Sequence, residues 1–200
     1  MLNLSVYEAK MIQNSVKIVV GISGASGMIY SSRLLQKLVA SANVASVMVV
    51  FSKNALSIWN DEIGSVEIFN HEKIVLFDIH DFFTPIASGS SLFHGMVICP
   101  ASMGIIGRIA SGASDCLITR AADVSLKERR KLIVVPRETP YNLIHLRNME
   151  QITLSGGIVC PASPSFYSKP SDFYELADTV VDRIFDLLEI PINTFRWGSI

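Results

Sequence analysis

The chain has 200 residues, of which 17 are basic and 18 acidic, and half are hydrophobic. This length suits one domain with a sizeable core, and the near-zero net charge without a basic stripe argues against nucleic acid as a partner. Three widely spaced cysteines and four histidines without ligand spacing predict free thiols and no protein-built transition-metal site. The low charge content leaves two explanations open: extensive contacts between subunits, or a large α/β core.

The N-terminal sixteen residues lack the apolar run of a signal peptide, and no segment is long and apolar enough to span a membrane. We therefore expect a cytoplasmic protein with no membrane partner. It would have an N-terminal extension over residues 1–16 and one domain over residues 17–200.

Short apolar segments rich in Val and Ile alternate with segments of helical periodicity along the domain. Strands are expected at Lys17–Ile22, Ala45–Phe51, Met96–Cys99, Leu132–Val135 and Gly157–Cys160. Helices are expected at Met28–Ala40, Lys53–Asn60, Met103–Ser111, Cys116–Lys127, Tyr141–Leu154 and Asp172–Glu189. This alternation predicts an α/β fold with a doubly wound parallel sheet and right-handed crossovers.

The first strand runs into a glycine-rich turn, GISGASG, with glycines at Gly21, Gly24 and Gly27. The spacing is not the G-x-G-x-x-G of dinucleotide sites, and no acidic residue ends the second strand to hold a ribose. Gly24, Ala25 and Ser26 could offer N–H groups and a hydroxyl to a phosphate at a helix N-terminus. A tight turn without a ligand is equally compatible with this pattern.

Polar residues also follow the other predicted strands: Ser52, Ser102, Arg137 with Glu138, and Tyr167. The carboxyl ends of parallel strands meet at one edge of a sheet, so these side chains should converge on one crevice. Arg137 and Glu138 could form a structural ion pair there. Alternatively, they could supply a cation for a phosphate and a carboxyl group that passes a proton.

Two helices carry further cations. Arg120 and Lys127 lie seven residues apart on one helical face and could reach a shared anion, whereas Arg129 and Arg130 are interpreted as a solvated basic turn. In the last helix, Arg183 lines up with an apolar stripe, so it either binds an anion or snorkels at the edge of the core. The stripe comprises Phe173, Leu176, Ala177, Val180, Val181, Ile184, Leu187 and Leu188.

Two local features complete the pattern. Ser171 is the predicted cap of the last helix. The small residues ASGSS, at positions 87–91, form either a lid over a site or an ordinary connection.

Together, the blocks GISGASG, TRAADVSLKERR, VVPRETP, IHLRNM, PASPSFYSKP and RWG resemble the flavin prenyltransferases of the UbiX type, from Lys17 to Gly198. The resemblance implies a flavodoxin-like fold and a homododecamer with active sites at subunit contacts. It further implies metal-independent transfer of a dimethylallyl group from dimethylallyl monophosphate to N5 and C6 of reduced FMN. The product, prenylated FMN, would serve UbiD-type decarboxylases, often in ubiquinone biosynthesis. The sequence leaves open whether a diphosphate replaces the monophosphate.

The resemblance also assigns residues by position. The residues assigned to contact the flavin are Gly24, Ala25, Ser26, Ser52, Ser102, Met103, Gly104, Ile105 and Arg137. The resemblance assigns binding of the substrate phosphate to Tyr167 and Arg183, together with Lys127 and Arg120 from a neighbouring subunit. Glu138 corresponds to a carboxyl group that moves protons at the leaving phosphate, and Glu62 to a glutamate near the flavin.

The segment PASMGII departs from the family pattern. Ala101 replaces a cysteine, and Ile105 replaces a threonine whose hydroxyl could contact FMN, at a cost of about 1 kcal/mol. This departure keeps open a non-catalytic flavin carrier. A flavoprotein that decarboxylates peptidyl or pantothenoyl cysteine is disfavoured, because no histidine occupies a strand-end turn.

Overall fold

The computed structural model describes residues 15–198, which form one six-stranded parallel sheet flanked by helices. The strands are β1 (Val16–Ile22), β2 (Val44–Phe51), β3 (Ile74–Phe77), β4 (Gly95–Ala101), β5 (Lys131–Pro136) and β6 (Ile158–Val159). The helices are α1 (Met28–Ala40), α2 (Ala55–Glu62), α3 (Met103–Ala110), α4 (Leu117–Lys127), α5 (Leu143–Leu154) and α6 (Phe173–Leu188). Within the described residues, no helix is both long and apolar enough to cross a membrane.

The strand order is β3-β2-β1-β4-β5-β6, and all pairings are parallel. Without β3, the order becomes the 2-1-3-4-5 of a flavodoxin-like sheet, and β3 extends that sheet beyond β2. The predicted doubly wound parallel fold is therefore confirmed. The order reverses between β1 and β4, so their carboxyl ends flank the crevice in which such sheets bind ligands.

The sheet buries a separate core on each face. Ile18 and Val20 of β1 pack with α1, α2 and α6 on one face, whereas Val19 packs with α3 and α4 on the other. This alternation follows from the two-residue period of a strand. Consequently, α4 and α6 lie on opposite faces of the sheet.

Most predicted bounds differ from the observed ones by one or two residues, and one strand was missed. Strand β3 was not predicted, and β1 begins at Val16 rather than Lys17. The predicted extension over residues 1–16 lies largely outside the described residues.

The start of α6 differs as well. The Asp172 carboxylate, not Ser171, caps α6 by accepting a hydrogen bond from the N–H of Glu175 at 2.8 Å. The Ser171 hydroxyl instead donates to the Glu175 carboxylate at 2.8 Å. Phe173, predicted in the buried stripe, is 80% exposed because it stands in the first turn of the helix, before the buried residues begin at Ala177.

Candidate active site at the carboxyl edge of the sheet

A buried serine that the sequence analysis did not single out joins the two strands at the point where the order reverses. The Ser23 hydroxyl donates to the carbonyl of Pro100 at 2.8 Å and accepts from the N–H of Ser102 at 2.7 Å. Its side chain is fully buried. Ser23 therefore holds the start of α3 beside the glycine-rich turn. In the sequence, the feature that could have indicated this role is a small hydroxyl residue directly after β1.

The carboxylate of Glu62, at the end of α2, caps the amino end of α1. One oxygen of Glu62 accepts from the N–H groups of Gly27 at 2.9 Å and Met28 at 2.8 Å. Gly27 adopts φ 106°, a left-handed conformation that favours glycine. A carboxylate thus occupies the position where the helix dipole would attract an external anion.

The environment of Glu62 keeps this group ionised. Partial burial raises its pKa, but hydrogen bonds from the Ser26 hydroxyl and the N–H groups of Met28 and Gly27, with the charge of Arg137, outweigh burial and lower the pKa. A second anion at this helix end would meet the negative charge of Glu62. The neighbouring turn therefore suits a neutral hydrogen-bonding group better than a phosphate, and the phosphate interpretation of this turn stays a prediction.

The turns after β1 and β2 lie against each other. A Cβ added at Gly24 would come within 3.3 Å of Cβ of Asn54 and 3.9 Å of Oγ of Ser52. The absence of a side chain at Gly24 therefore lets the two turns approach closely.

Ser102 and Arg137 complete the same edge. Ser102 is the N-cap of α3, with its Oγ accepting from the N–H of Ile105 at 3.4 Å. The N–H of Arg137 donates to the carbonyl of Ala101 at 3.4 Å, and Cγ of Arg137 lies 3.7 Å from the position of a Cβ at Gly27. A hydroxyl, an arginine and the exposed turn thus lie close together at the carboxyl edge of the sheet.

The three residues after Ser102 differ in what they can present to that crevice. The side chains of Met103 and Ile105 are 8% and 1% exposed and pack in the core beneath α3. A Cβ at Gly104 would have no atom within 4 Å, so this position is open. A flavin contact from Met103 or Ile105 would therefore use the backbone. Isoleucine in place of the family threonine fills core volume rather than the crevice.

Glu138 is exposed beside Arg137, and its carboxylate accepts from the N–H of Thr139 at 3.0 Å. Among the described residues, no salt bridge links Glu138 to Arg137. The structural ion pair considered from the sequence is therefore not formed.

Arg183 lies on α6, at a cavity of about 400 Å³ that Ser165, Ser168, Asp186 and Thr194 also line. Its side chain is 63% exposed, so it is not held in the buried stripe. Burial raises the pKa of Cys160, and the nearby charge of Arg183 opposes that rise, which places Arg183 close to the end of β6.

Tyr167 lies in the loop after β6. Its ring packs edge-to-face on Trp197, with the ring centroids 4.9 Å apart. The loop that carries Tyr167 also supplies Ser165 and Ser168 to the cavity wall beside Arg183. Tyr167 itself is 67% exposed.

The cations of α4 point elsewhere. The Nε of Arg120 donates to the carbonyl of Ala87 at 3.0 Å, and Lys127 pairs with Glu128. Lys127 precedes β5 and so stands at the amino edge of the sheet, on the face opposite to α6. Lys127 and Arg183 of one chain therefore cannot hold the same phosphate.

Arg130 is not part of a solvated basic turn, which corrects the expectation for that residue. Its guanidinium donates to the carbonyl of Gly89 at 2.7 Å and lies 4.4 Å from the ring centroid of Phe93. Arg120 of α4 and Arg130 of the turn after it thus hold the ASGSS segment at two points, Ala87 and Gly89. This favours a fixed connection over a mobile lid.

No group of three or more His, Cys, Asp or Glu side chains within residues 15–198 is arranged to hold a metal ion.

Comparison with known proteins places this site in a family. The Flavoprotein family model matches residues 6–186. Flavin prenyltransferase UbiX of Thermoplasma acidophilum is 46% identical and spans 91% of this chain and 100% of its own.

Two solved structures have the same fold. AnUbiX (PadA1), in complex with FMN and dimethylallyl pyrophosphate, is 36% identical, with a TM-score of 0.86 over 93% of this chain and 99% of its own. A dodecameric FMN-dependent UbiX-like decarboxylase from Escherichia coli is 35% identical, with a TM-score of 0.86 over 92% of this chain and 100% of its own. The resemblance inferred from the sequence blocks is thus confirmed, and the chain belongs to the UbiX-type flavin prenyltransferases of the Flavoprotein family.

Proposed function

We propose that this protein transfers a dimethylallyl group from dimethylallyl monophosphate to N5 and C6 of reduced FMN. The observation that carries the proposal is the crevice at the carboxyl edge, where Ser23 fixes the start of α3 beside a glycine-rich turn already capped by Glu62. The complex of AnUbiX with FMN and dimethylallyl pyrophosphate supports the pairing of these two substrates.

The residues of the crevice fit the two chemically different ends of FMN. Because the Ser26 hydroxyl donates to Glu62, its oxygen remains an acceptor, which suits an N–H group of a reduced flavin ring. Since Glu62 repels anions, we assign the FMN phosphate to Ser52, Ser102 and Arg137. Gly24 and Ala25, in the exposed turn, and the backbone of Met103, Gly104 and Ile105 would complete the flavin contacts. Reduced FMN supplies the nucleophilic N5 and C6 positions.

Arg183 and Tyr167 would bind the phosphate of the second substrate. Ionisation of an allylic C–O bond leaves charge on the departing phosphate, and cations placed there stabilise the transition state. Glu138, exposed and without a salt bridge among the described residues, would move the protons that the departing phosphate requires.

A neighbouring subunit would supply Lys127 and Arg120, because α4 and α6 lie on opposite faces of one chain. Helix α5 supports assembly, since it buries only Ile152 and leaves four large apolar side chains exposed: Leu143, Ile144, Leu146 and Leu154. We propose a homododecamer, the state described for the Escherichia coli UbiX-like protein. The product would pass to a UbiD-type decarboxylase. The three free cysteine thiols are compatible with a cytoplasmic location.

The direct test is anaerobic incubation with reduced FMN and dimethylallyl monophosphate, followed by mass spectrometry of the extracted flavin. We expect a flavin heavier by one five-carbon unit, with phosphate released. Arg183→Ala should lower this rate by about 10²–10³-fold while FMN stays bound, and Lys17→Ala, at the opposite edge of the sheet, should not. Bound but unmodified flavin would refute the transferase and favour a carrier.

Complementation tests the shared site. Arg183→Ala and Lys127→Ala subunits should each be slower alone, by about 10²–10³-fold. Co-assembled from a mixture, they should regain activity, because some sites would then combine an intact Arg183 with an intact Lys127. Failure of well-assembled mixtures to recover would refute a site shared between subunits, and full activity of Lys127→Ala alone would place Lys127 outside the site.

A further inference from the structure

Three aspartates on α6 surround Arg183 with negative charge. Asp178, Asp182 and Asp186 recur every four residues, so they lie on one side of the helix. All three line the same cavity as Arg183. Each has partners from another element: Arg33 and Lys37 for Asp178, Lys37 and Thr194 for Asp182, and Arg196 for Asp186.

Arg196 and Arg183 both approach the carboxylate of Asp186. The two terminal nitrogens of Arg196 bind both oxygens of Asp186, at 2.6 and 2.8 Å. Nη1 of Arg183 lies 3.9 Å from one of these oxygens, at the limit of an ion pair. The i,i+3 spacing of Arg183 and Asp186 would permit a closer pair if the carboxylate were not already engaged.

We propose that Arg196 is a positioning residue that keeps Arg183 available for the substrate phosphate. By engaging both oxygens of Asp186, Arg196 neutralises the carboxylate beside Arg183 and prevents a closed Arg183–Asp186 pair. Without Arg196, the phosphate would have to displace that carboxylate and would meet its charge. This inference rests on the proposed function of Arg183.

The same contact fixes the C-terminal tail, residues 191–198, on α6. Thr194 binds Asp182 and Arg196 binds Asp186, so the tail is held at two successive turns of the helix. Trp197, next to Arg196, packs on Tyr167. The tail therefore contacts Asp186 beside Arg183 through Arg196, and the ring of Tyr167 through Trp197.

The experiment is a double-mutant cycle on the FMN-loaded oligomer. Binding of dimethylallyl monophosphate to protein carrying oxidised FMN is measured by calorimetry for wild type, Arg196→Ala, Asp186→Asn and the double variant. Arg196→Ala should weaken binding by about fivefold, the upper range for an exposed ion pair. Arg196→Lys should be intermediate, since it keeps the charge but not the two-oxygen geometry. FMN affinity should not change in any of them.

The double variant decides between two roles of Arg196. If Arg196 acts by restraining Asp186, removing both should restore binding to within about twofold of wild type. If the double variant binds as poorly as Arg196→Ala, the proposal is overturned, because Arg196 then acts only by docking the tail. Unchanged binding in Arg196→Ala overturns it as well.

Arg33→Gln is the matched control. It removes another two-oxygen Arg–Asp contact to the same helix, at Asp178, which keeps Lys37 as a partner. We expect no change in substrate binding. Wild-type protein that neither binds the monophosphate nor modifies reduced FMN would refute the proposed function itself, a result distinct from a failed cycle.

Discussion

Replacing Ser23 by alanine tests whether one buried hydroxyl organises the flavin site. Ser23 donates to the carbonyl of Pro100 and accepts from the N–H of Ser102, and it is fully buried. Alanine removes both contacts and leaves the backbone path of β1 unchanged. The Pro100 carbonyl keeps its bond from the N–H of Ser23 at 3.2 Å. The main loss is therefore the acceptor of the Ser102 N–H.

The expected cost follows from that unpaired donor. A partly buried N–H that loses its partner, as that of Ser102 would, costs about 1–3 kcal/mol. The Pro100 carbonyl keeps a partner, so we expect the free energy of unfolding to fall by about 2 kcal/mol in total. This corresponds to a fall in Tm of about 4–8 °C for a chain of this size. Ser102 is the N-cap of α3 and a proposed FMN contact, so its displacement should also weaken FMN binding. A loss of about 1 kcal/mol of binding free energy corresponds to about fivefold in affinity.

Chemical unfolding at fixed protein concentration and flavin-fluorescence titration measure the two effects. Ser125→Ala is the matched control, because Ser125 is equally buried but its hydroxyl donates to the carbonyl of Ala121 in its own helix, at 2.7 Å. That change should cost little, since such bonds within a helix add little stability. Equal unfolding free energies for the two variants would show that the Ser102 amide does not depend on Ser23.

Three further changes probe the turn and the crevice. Glu62 has a folded pKa below its ordinary value of 4.5, so its stabilising contribution is present above that value and is lost as pH falls through the lowered pKa. Glu62→Gln should thus destabilise the protein most at neutral pH, and a destabilisation that does not shrink as the pH falls from 4.5 in urea titrations would contradict this. Gly27→Ala should cost about 1–2 kcal/mol, measured by unfolding, because φ is 106°. Glu138→Gln should slow single-turnover prenylation by about 10²–10⁴-fold with an unchanged unfolding midpoint; a wild-type rate would remove Glu138 from the mechanism.

The regular elements with strong local signals were predictable from the sequence. Helix α1 begins and ends where expected, at Met28–Ala40, because Gly27 precedes it and a polar turn follows it. The short edge strand β3 was not predicted, since its four residues include exposed Val75 and Leu76 and lack a clear period. The cap of α6 was assigned to Ser171 instead of Asp172 because adjacent serine and aspartate are nearly equal as N-caps.

The site was predictable only in part, because its decisive contacts join residues far apart in the chain. The convergence of strand-end residues follows from parallel topology, and Ser52, Ser102 and Arg137 do line that edge. No local pattern shows that Arg130 stacks on Phe93 or that Glu62 reaches Gly27. The roles of the individual site residues stay predictions that rest on family resemblance.

In the proposed binding mode, the glycine-rich turn of this chain contacts FMN without binding its phosphate at the helix end. The usual attraction of a helix N-terminus for anions is satisfied internally, since Glu62 accepts from Gly27 and Met28. That leaves the Ser26 oxygen as an acceptor for an uncharged ring. FMN carries its phosphate at the far end of a flexible chain, so its site needs one neutral and one cationic region. In the proposed binding mode Glu62 separates the two regions, because its negative charge at the start of α1 disfavours the phosphate there and favours the region of Arg137 and α3 for it.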